Sequence, residues 1–383
     1  MTDSPSPPPT DDAPQGRAAL GIDHDDAFTD ADRAALEGWL GARLPGAGTV
    51  RVGDVARPSG GFSAETFIVP LTVEGESAGP GGPDRVVLRR EVPDPAVYPQ
   101  QAPGLDVEVD IQYRVMEALA AHSALPIAPR VGYEADPAIL GAPFFVMGFV
   151  EGEVPGESPP YPEQGFFRDA APEQRRSMVE GGLEALARLH AVDWRAAGLD
   201  FLVAPGVTPG TAHQLALWEA FGAQELHGRH HPQIAAALPW LHAHVPDDPS
   251  VGLCWGDPRP GNVIWRDFGP ACVTDFEAAS IGSPLQDLGW WLMFDRTMHP
   301  DGTRLDGDPT PDEQRAVYAA AAGVEVSAAD VAYHEVFAAL RYAVIVVRVM
   351  NRLVARGDLP ADEVIWRENP AATCLADVLE ELT

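Results

Sequence analysis

Residues 253–277 read LCWGDPRPGNVIWRDFGPACVTDFE. Helical patterns flank this stretch, yet it has no helical period of its own. Its apolar residues fall in short runs cut by Pro, Gly, Asn and Asp. Such punctuation predicts a loop, a short hairpin and a second loop. Oxygen-bearing side chains sit at fixed places in it. Asp257 precedes Asn262 by five residues, and Asp275 and Glu277 follow the hairpin.

That spacing has a chemical reading. Phosphoryl transfer asks little covalent chemistry of a protein. It needs a carboxylate to orient the attacking hydroxyl and hard oxygen ligands for Mg²⁺. In the protein-kinase pattern a catalytic Asp is followed five residues later by a metal-binding Asn. A second metal-binding Asp comes after a short hairpin. Asp257 takes the place of the catalytic carboxylate, and Asn262 and Asp275 those of the metal ligands. Arg259, two residues after Asp257, is placed to neutralise charge on the transferring phosphate. The competing reading is a polar surface loop with helix-capping Asp and Asn. The D-x₄-N spacing alone is common; the hairpin and the D-F-E after it outweigh that reading.

Working outward, Ser59-Gly-Gly-Phe-Ser-Ala-Glu-Thr66 lies between two strand patterns. Gly60 and Gly61 permit a tight turn that brings backbone amides to phosphates, and Ser63 adds a hydroxyl donor. RVVLRR, residues 85–90, reads as a strand, hairpinned to the strand before it. Arg89 and Arg90 face opposite sides of that strand. Alignment on the V-A-I-K pattern selects Arg89 as the phosphate holder. All 26 basic residues are Arg and the chain has no Lys, so an Arg must serve. The helix expected from about Asp106 to Ala121 offers Gln112, Glu108 and Asp110 as its partner.

With a helix at Asp30–Leu44 and short strands near Val50, Gly132 and Phe144–Val150, the first part reads as a small, mainly antiparallel sheet. Helices dominate afterwards, at about 173–193, 212–226, 231–244, 284–295, 311–322 and 328–353. The fold class is therefore α+β, a two-lobed protein-kinase-like fold. Residues 1–18 read as a disordered tail, 19–147 as a nucleotide-binding N-lobe and 148–383 as a helical C-lobe, with the boundary near Met147 to Gly152.

The 383 residues carry 57 acidic and 26 basic side chains, a net charge of −31. This disfavours nucleic acid and anionic membranes as partners. Three cysteines, Cys254, Cys272 and Cys374, form no disulfide framework or paired metal motif. The start, MTDSPSPPPTDDAPQG, lacks the basic and apolar parts of a signal peptide. Val331 to Leu353 carries His334, Glu335 and three Arg, which suits a buried helix rather than a membrane span. A cytoplasmic protein, monomer or homodimer, is expected. The histidines of HGRHH (227–231) read as helix-end residues, His190 as a core or helix-end residue, and Asp287 as a structural acceptor for backbone amides of the 257 loop.

These motifs resemble those of the aminoglycoside phosphotransferase, choline kinase-like, family. The resemblance is strongest to the branch related to the kinase domain fused to acyl-CoA dehydrogenases. It runs from about Val50 to Met350 through seven motifs in order: GGFSAET, VVLRR, Ile111-Gln112-Tyr113, FFVMGFVEG, ALARLH, WGDPRPGN and DFEAASIGSPLQDL. It implies a catalytic base at Asp257, Mg²⁺ ligands at Asn262 and Asp275, and support for metal or substrate from Glu277. It implies a hinge at Met147 to Phe149 that reads the base of ATP through its backbone, an arrangement that also admits GTP. The acceptor is then a hydroxylated small molecule, a metabolite or an antibiotic. Three positions depart from the pattern: Trp255 for His, Gln112 for Glu and Ala64 for Asn. They define the rival reading, a pseudokinase that binds nucleotide or another ligand without catalysis.

Overall fold

A computed structural model describes residues 28–58, 64–75, 83–94, 96–248 and 250–382. The expected 1–18 tail and the glycine-turn residues Gly60, Gly61 and Ser63 lie outside the described residues. The first part of the chain forms α1 (Asp30–Gly41), β1 (Ala47–Val52), β2 (Glu65–Gly75), β3 (Arg85–Arg90), α2 (Glu108–His122), β4 (Arg130–Glu134) and β5 (Phe144–Gly148). The strands make one antiparallel sheet in the order β1-β2-β3-β5-β4.

Two-residue alternation sorts the sheet's faces. Phe67, Val69, Leu71, Val86, Leu88, Phe144 and Val146 pack with Leu36, Trp39 and Leu40 of α1. Phe145 faces the other way and joins the core of α2, with Val109, Val115 and Leu119. Arg89 pairs with Phe145 across the β3–β5 ladder and so shares that second face. Arg90, on the first face, bonds Glu65 at 2.7 Å. The alternation expected of RVVLRR thus aims Arg89 at the rest of the molecule.

The helical part contains α3 (Phe166–Asp169), α4 (Pro172–His190), α5 (Thr211–Leu226) and α6 (Pro232–Ala243). The non-helical island follows as β6 (Gly252–Cys254), β7 (Val263–Arg266), β8 (Gly269–Val273) and β9 (Ser280–Gly282). The chain ends with α7 (Leu285–Met298), α8 (Pro311–Ala322), α9 (Ala328–Arg356) and α10 (Pro370–Glu380). The helix α10 has no counterpart in the sequence reading. Its stripe of Ala371, Cys374, Leu375 and Val378 is short, and it is buried by packing with α6 and α9.

The segment between β3 and α2 fastens the sheet to the helices. Arg348 of α9 donates to the Ala96 carbonyl at 2.9 Å, and Gln214 of α5 donates to Gln101 at 2.8 Å. Val97 packs on Val349, Met350 and Leu353 of α9. Inside the helical part, α7 crosses α9 closely at Gly289. A Cβ there would lie 2.5 Å from the His334 carbonyl carbon, which is backbone and cannot swing aside. Gly289→Ala is therefore expected to destabilise the protein by about 1–3 kcal/mol, the range for overpacking. Denaturant unfolding checks this: the midpoint should fall with the slope unchanged. An unchanged midpoint would mean the two helices do not meet there.

Candidate active site

The loop before β7 is held from three sides. Gly256 has φ +93°, and a Cβ there would strike the Ala278 carbonyl, so only glycine fits. Asp287 of α7 accepts the amides of Trp255 at 2.6 Å and Gly256 at 3.0 Å, as expected of a structural acceptor. His190 supports it: Nε2 lies 3.1 Å from Asp287, and Nδ1 lies 2.7 Å from the Tyr318 hydroxyl. Arg341 of α9 donates to the Gly256 carbonyl at 2.7 Å.

These contacts fix Asp257. Its Oδ1 accepts from the Trp290 indole at 2.8 Å. Its Oδ2 accepts from Asn262 at 2.9 Å and from Arg259 Nε at 3.1 Å. Arg259 also pairs with Glu157, from the segment after β5. Burial pushes the Asp257 carboxyl up, Arg259 pulls against that rise, and Asp275 adds to it.

The β7–β8 hairpin then carries the chain back. Val263 pairs with Val273, so Asn262 and Thr274 meet: the Thr274 amide and hydroxyl both donate to the Asn262 carbonyl, at 3.0 and 2.9 Å. Asp275 follows with φ +64°, a left-handed conformation that Asp tolerates better than most residues. Trp255, found where the family pattern has His, donates its indole N–H to the carbonyls of Thr274 and Asp275, each at 2.9 Å. It therefore binds the 257 loop to the 275 loop.

Arg89 arrives from β3. Its Nη2 lies 3.1 Å from Asp275 Oδ1 and 3.2 Å from Glu277 Oε2. Gln112 reaches Glu277 instead of Arg89, donating to Oε2 at 2.8 Å. The carboxylate expected from the helix is thus supplied by the D-F-E turn, and Gln112 is a neutral donor to it. Burial pushes Asp275 up, but the charges of Arg89 and Arg259, with hydrogen bonds from Glu277 and Arg89, together hold the carboxyl below its ordinary value. Burial, with the neighbouring Asp275, drives Glu277 well above the carboxylate range. The two carboxyls are thus pushed in opposite directions and titrate as a coupled pair.

Met147 lies within β5, paired with Val87 and Arg130. The Gly148 amide donates to Pro129 at 2.6 Å, and Phe149 is the first residue past the strand, its ring 4.0 Å from the Arg85 guanidinium. Three residues here escaped the sequence reading. Glu157 comes from an irregular segment with no pattern to mark it. Trp290 belongs to a helix buried all round, whose periodicity singles nothing out. Arg341 had a signal: it is a charge on the apolar stripe of α9.

Other candidates resolve as structure. His227 ends α5 at φ +49°, and His231 is buried and caps α6 through the Ile234 amide. Among the described residues, one acidic–histidine cluster has ligand spacing: Asp295, His299 and Asp308. Arg304 already pairs with both of its carboxylates. Among the described residues no helix is long and apolar enough to cross a membrane.

A curled antiparallel sheet over a helical part, with two carboxylate-bearing loops at their junction, defines a phosphotransferase of protein-kinase-like fold. The sequence model of the phosphotransferase enzyme family, APH, matches residues 54–334, and the chain belongs to that family. Curated relatives include the Arabidopsis thaliana acyl-CoA dehydrogenase IBR3, 26% identical over 70% of this chain and 33% of the relative. Acyl-CoA dehydrogenase family member 11 of Gallus gallus is 29% identical over 69% of this chain and 31% of its own length. The chain thus spans about a third of the length of these relatives. Among solved structures, a Ralstonia eutropha protein provisionally classed as an aminoglycoside phosphotransferase superposes with TM-score 0.65 at 22% identity, covering 91% of this chain and 98% of that one. A thermostable mutant of aminoglycoside phosphotransferase APH(4)-Ia, solved with ADP and hygromycin B, gives 0.54 at 15% identity over 90% and 98%.

Glu108, at the start of α2, offers a test of this buried charge pattern. Its Oε1 accepts the Val97 amide at 3.0 Å. Burial, reinforced by Glu91, pushes its carboxyl from 4.5 up to about 7. The folded state therefore binds this proton more tightly than the unfolded state. The stability it contributes is complete below about pH 4.5 and is lost as pH rises to about 7. Glu108→Gln keeps the acceptor and removes the titration. Relative to wild type it should gain on the order of 3 kcal/mol between pH 4.5 and 7.5. Urea unfolding of both proteins across that range checks it. A constant difference would contradict the raised value.

Proposed function

We propose that the protein transfers the γ-phosphoryl group of ATP, with Mg²⁺, to a hydroxyl of a small molecule. The observation that carries this reading is the joining of the two loops. Trp255 and the β7–β8 hairpin fix Asp257, Asn262 and Asp275 in one cluster, with Arg89 beside it.

The residues present fit the groups such chemistry requires. Asp275 and Asn262 offer the hard oxygen atoms that Mg²⁺ prefers. Arg89 Nε is buried without a hydrogen-bond partner, a donor placed for a phosphate oxygen. When bound, Mg²⁺ supplies charge neutralisation on the phosphates. Asp257 orients the acceptor hydroxyl and takes its proton; its raised pKa makes it the better base. Arg259, clamped by Glu157, keeps a positive charge next to Asp257. Met147 to Phe149 serve as the hinge for ATP or GTP, and Gly60, Gly61 and Ser63 as the phosphate turn. The solved neighbour holding ADP and hygromycin B supports one nucleotide and one small acceptor in such a cleft. Three cysteines with no disulfide framework suit a reducing, cytoplasmic setting.

Mg·ATP at about 100 times its Kd should stabilise the protein by about 2.7 kcal/mol. The melting point then rises by roughly 2–4 °C per kcal/mol. Asp257→Ala should keep that shift and lower phosphoryl transfer on the order of 10²–10⁴-fold. Retained transfer would remove Asp257 from the role of base. Asp275→Asn should abolish the Mg²⁺ dependence of the shift; an unchanged Mg²⁺ titration would refute its part as ligand. A normal shift with no transfer to any acceptor would establish the pseudokinase instead.

A further inference from the structure

A small cavity lies beside the catalytic loop. Tyr98, Gln101, Gln214, Trp218, Glu277 and Arg341 are among the residues lining it, and it offers about 20 Å³. That is room for a water or an oxygen of one small group. Its most unusual feature is Arg341. The residue is only 3% exposed, and its Nε and Nη1 have no hydrogen-bond partner. Nη2 donates to the Gly256 carbonyl, a neutral acceptor. Aromatic rings surround the guanidinium: Trp290 at 4.7 Å, Trp218 at 5.0 Å and Phe337 at 5.8 Å. These rings offset part of the burial cost but supply no oxygen.

Among the described residues no carboxylate bonds Arg341. Both oxygens of Asp287 are taken by the Trp255 and Gly256 amides and by His190. On the cavity wall, Glu277 accepts from Arg89 and Gln112 through Oε2, and Glu108 accepts the Val97 amide through Oε1 while its Oε2 stays without a partner. Arg341 is thus a buried cation with two nitrogens, Nε and Nη1, that lack a partner, one backbone residue away from Asp257. Buried charge is retained where a counter-charge completes it.

We infer that this cavity is the anion end of the acceptor site, and that the acceptor is a short hydroxycarboxylate whose hydroxyl faces Asp257. The inference rests on the kinase reading and names its substrate class. In the step, the hydroxyl proton passes to Asp257 as the hydroxyl oxygen bonds the γ-phosphorus of ATP. The bond from that phosphorus to the β-phosphate oxygen breaks, and ADP leaves. The carboxylate does not react and holds the molecule by pairing with Arg341.

The test sets lactate, glycerate and their short straight-chain homologues beside their primary amides, with Mg·ATP, and follows ADP formation and the phosphorylated product. In wild type the carboxylates should exceed the amides in kcat/KM on the order of 10- to 100-fold, the span of a hydrogen bond to a charged group. Arg341→Gln should erase the preference mainly through KM and leave the Mg·ATP thermal shift as in wild type. Arg341→Lys should restore part of the preference. A merely structural Arg341 would lower kcat for acids and amides alike, which overturns the proposal. Equal use of acid and amide by wild type overturns it without any variant, should the variants fail to fold. So does failure of every acid as acceptor. In that case a Mg·ATP shift lost in Asp275→Asn keeps the kinase reading, and its absence in wild type sinks that reading too.

Discussion

One guanidinium joins the two halves of this molecule. Arg89 leaves the sheet on its inner face and bridges Asp275 and Glu277 of the helical part. All three groups are largely buried, so the pair is not a surface ornament. Removing one member of such a pair leaves an uncompensated charge, at a cost of about 3–5 kcal/mol. The orientation of β3, the register of its neighbours and the position of the D-F-E turn all converge on this contact. Arg suits it better than Lys. It stays charged when buried, and while Nη2 alone meets both carboxylates its Nε remains free to donate elsewhere.

The 257 loop depends on further support, drawn from helices far apart in sequence. Asp287 receives its amides, Arg341 its carbonyl and Trp290 its carboxylate. Each contributes a polar atom that would otherwise be buried without a partner. Trp255 links the two loops through its ring: one N–H serves two carbonyls of the opposite loop. At Gln112 the neutral amide donates to Glu277, the carboxyl that also meets Arg89.

Much of this was legible in the chain itself. The strand RVVLRR begins and ends where its alternation says, and that alternation alone aimed Arg89 and Arg90 to opposite faces. The hairpin between Asn262 and Asp275 followed from turn residues, and Asp287 was readable as an amide acceptor. What the sequence hid is what depends on distant packing. No local rule places Trp290 against Asp257 or Glu157 against Arg259, since their partners lie 33 and 102 residues away. The pairing of Arg89 with Glu277 was hidden for a similar reason. The kinase pattern directs attention to the helix, and only the fold reveals that the D-F-E carboxylate is closer.

The Arg89 contact and a metal-binding role for Asp275 make different demands on one carboxylate, and the geometry accommodates both. Arg89 engages Oδ1 of Asp275 and Oε2 of Glu277. A carboxylate has two oxygens and about four acceptor positions, so one guanidinium contact does not exhaust it. Burial and the neighbouring Asp275 raise the Glu277 carboxyl, while Arg89 helps to hold Asp275 low, so Glu277 takes up a proton more readily and Asp275 stays ionised more readily. A divalent ion then adds charge that phosphate oxygens must offset. Such a site would hold metal and nucleotide together far better than metal alone.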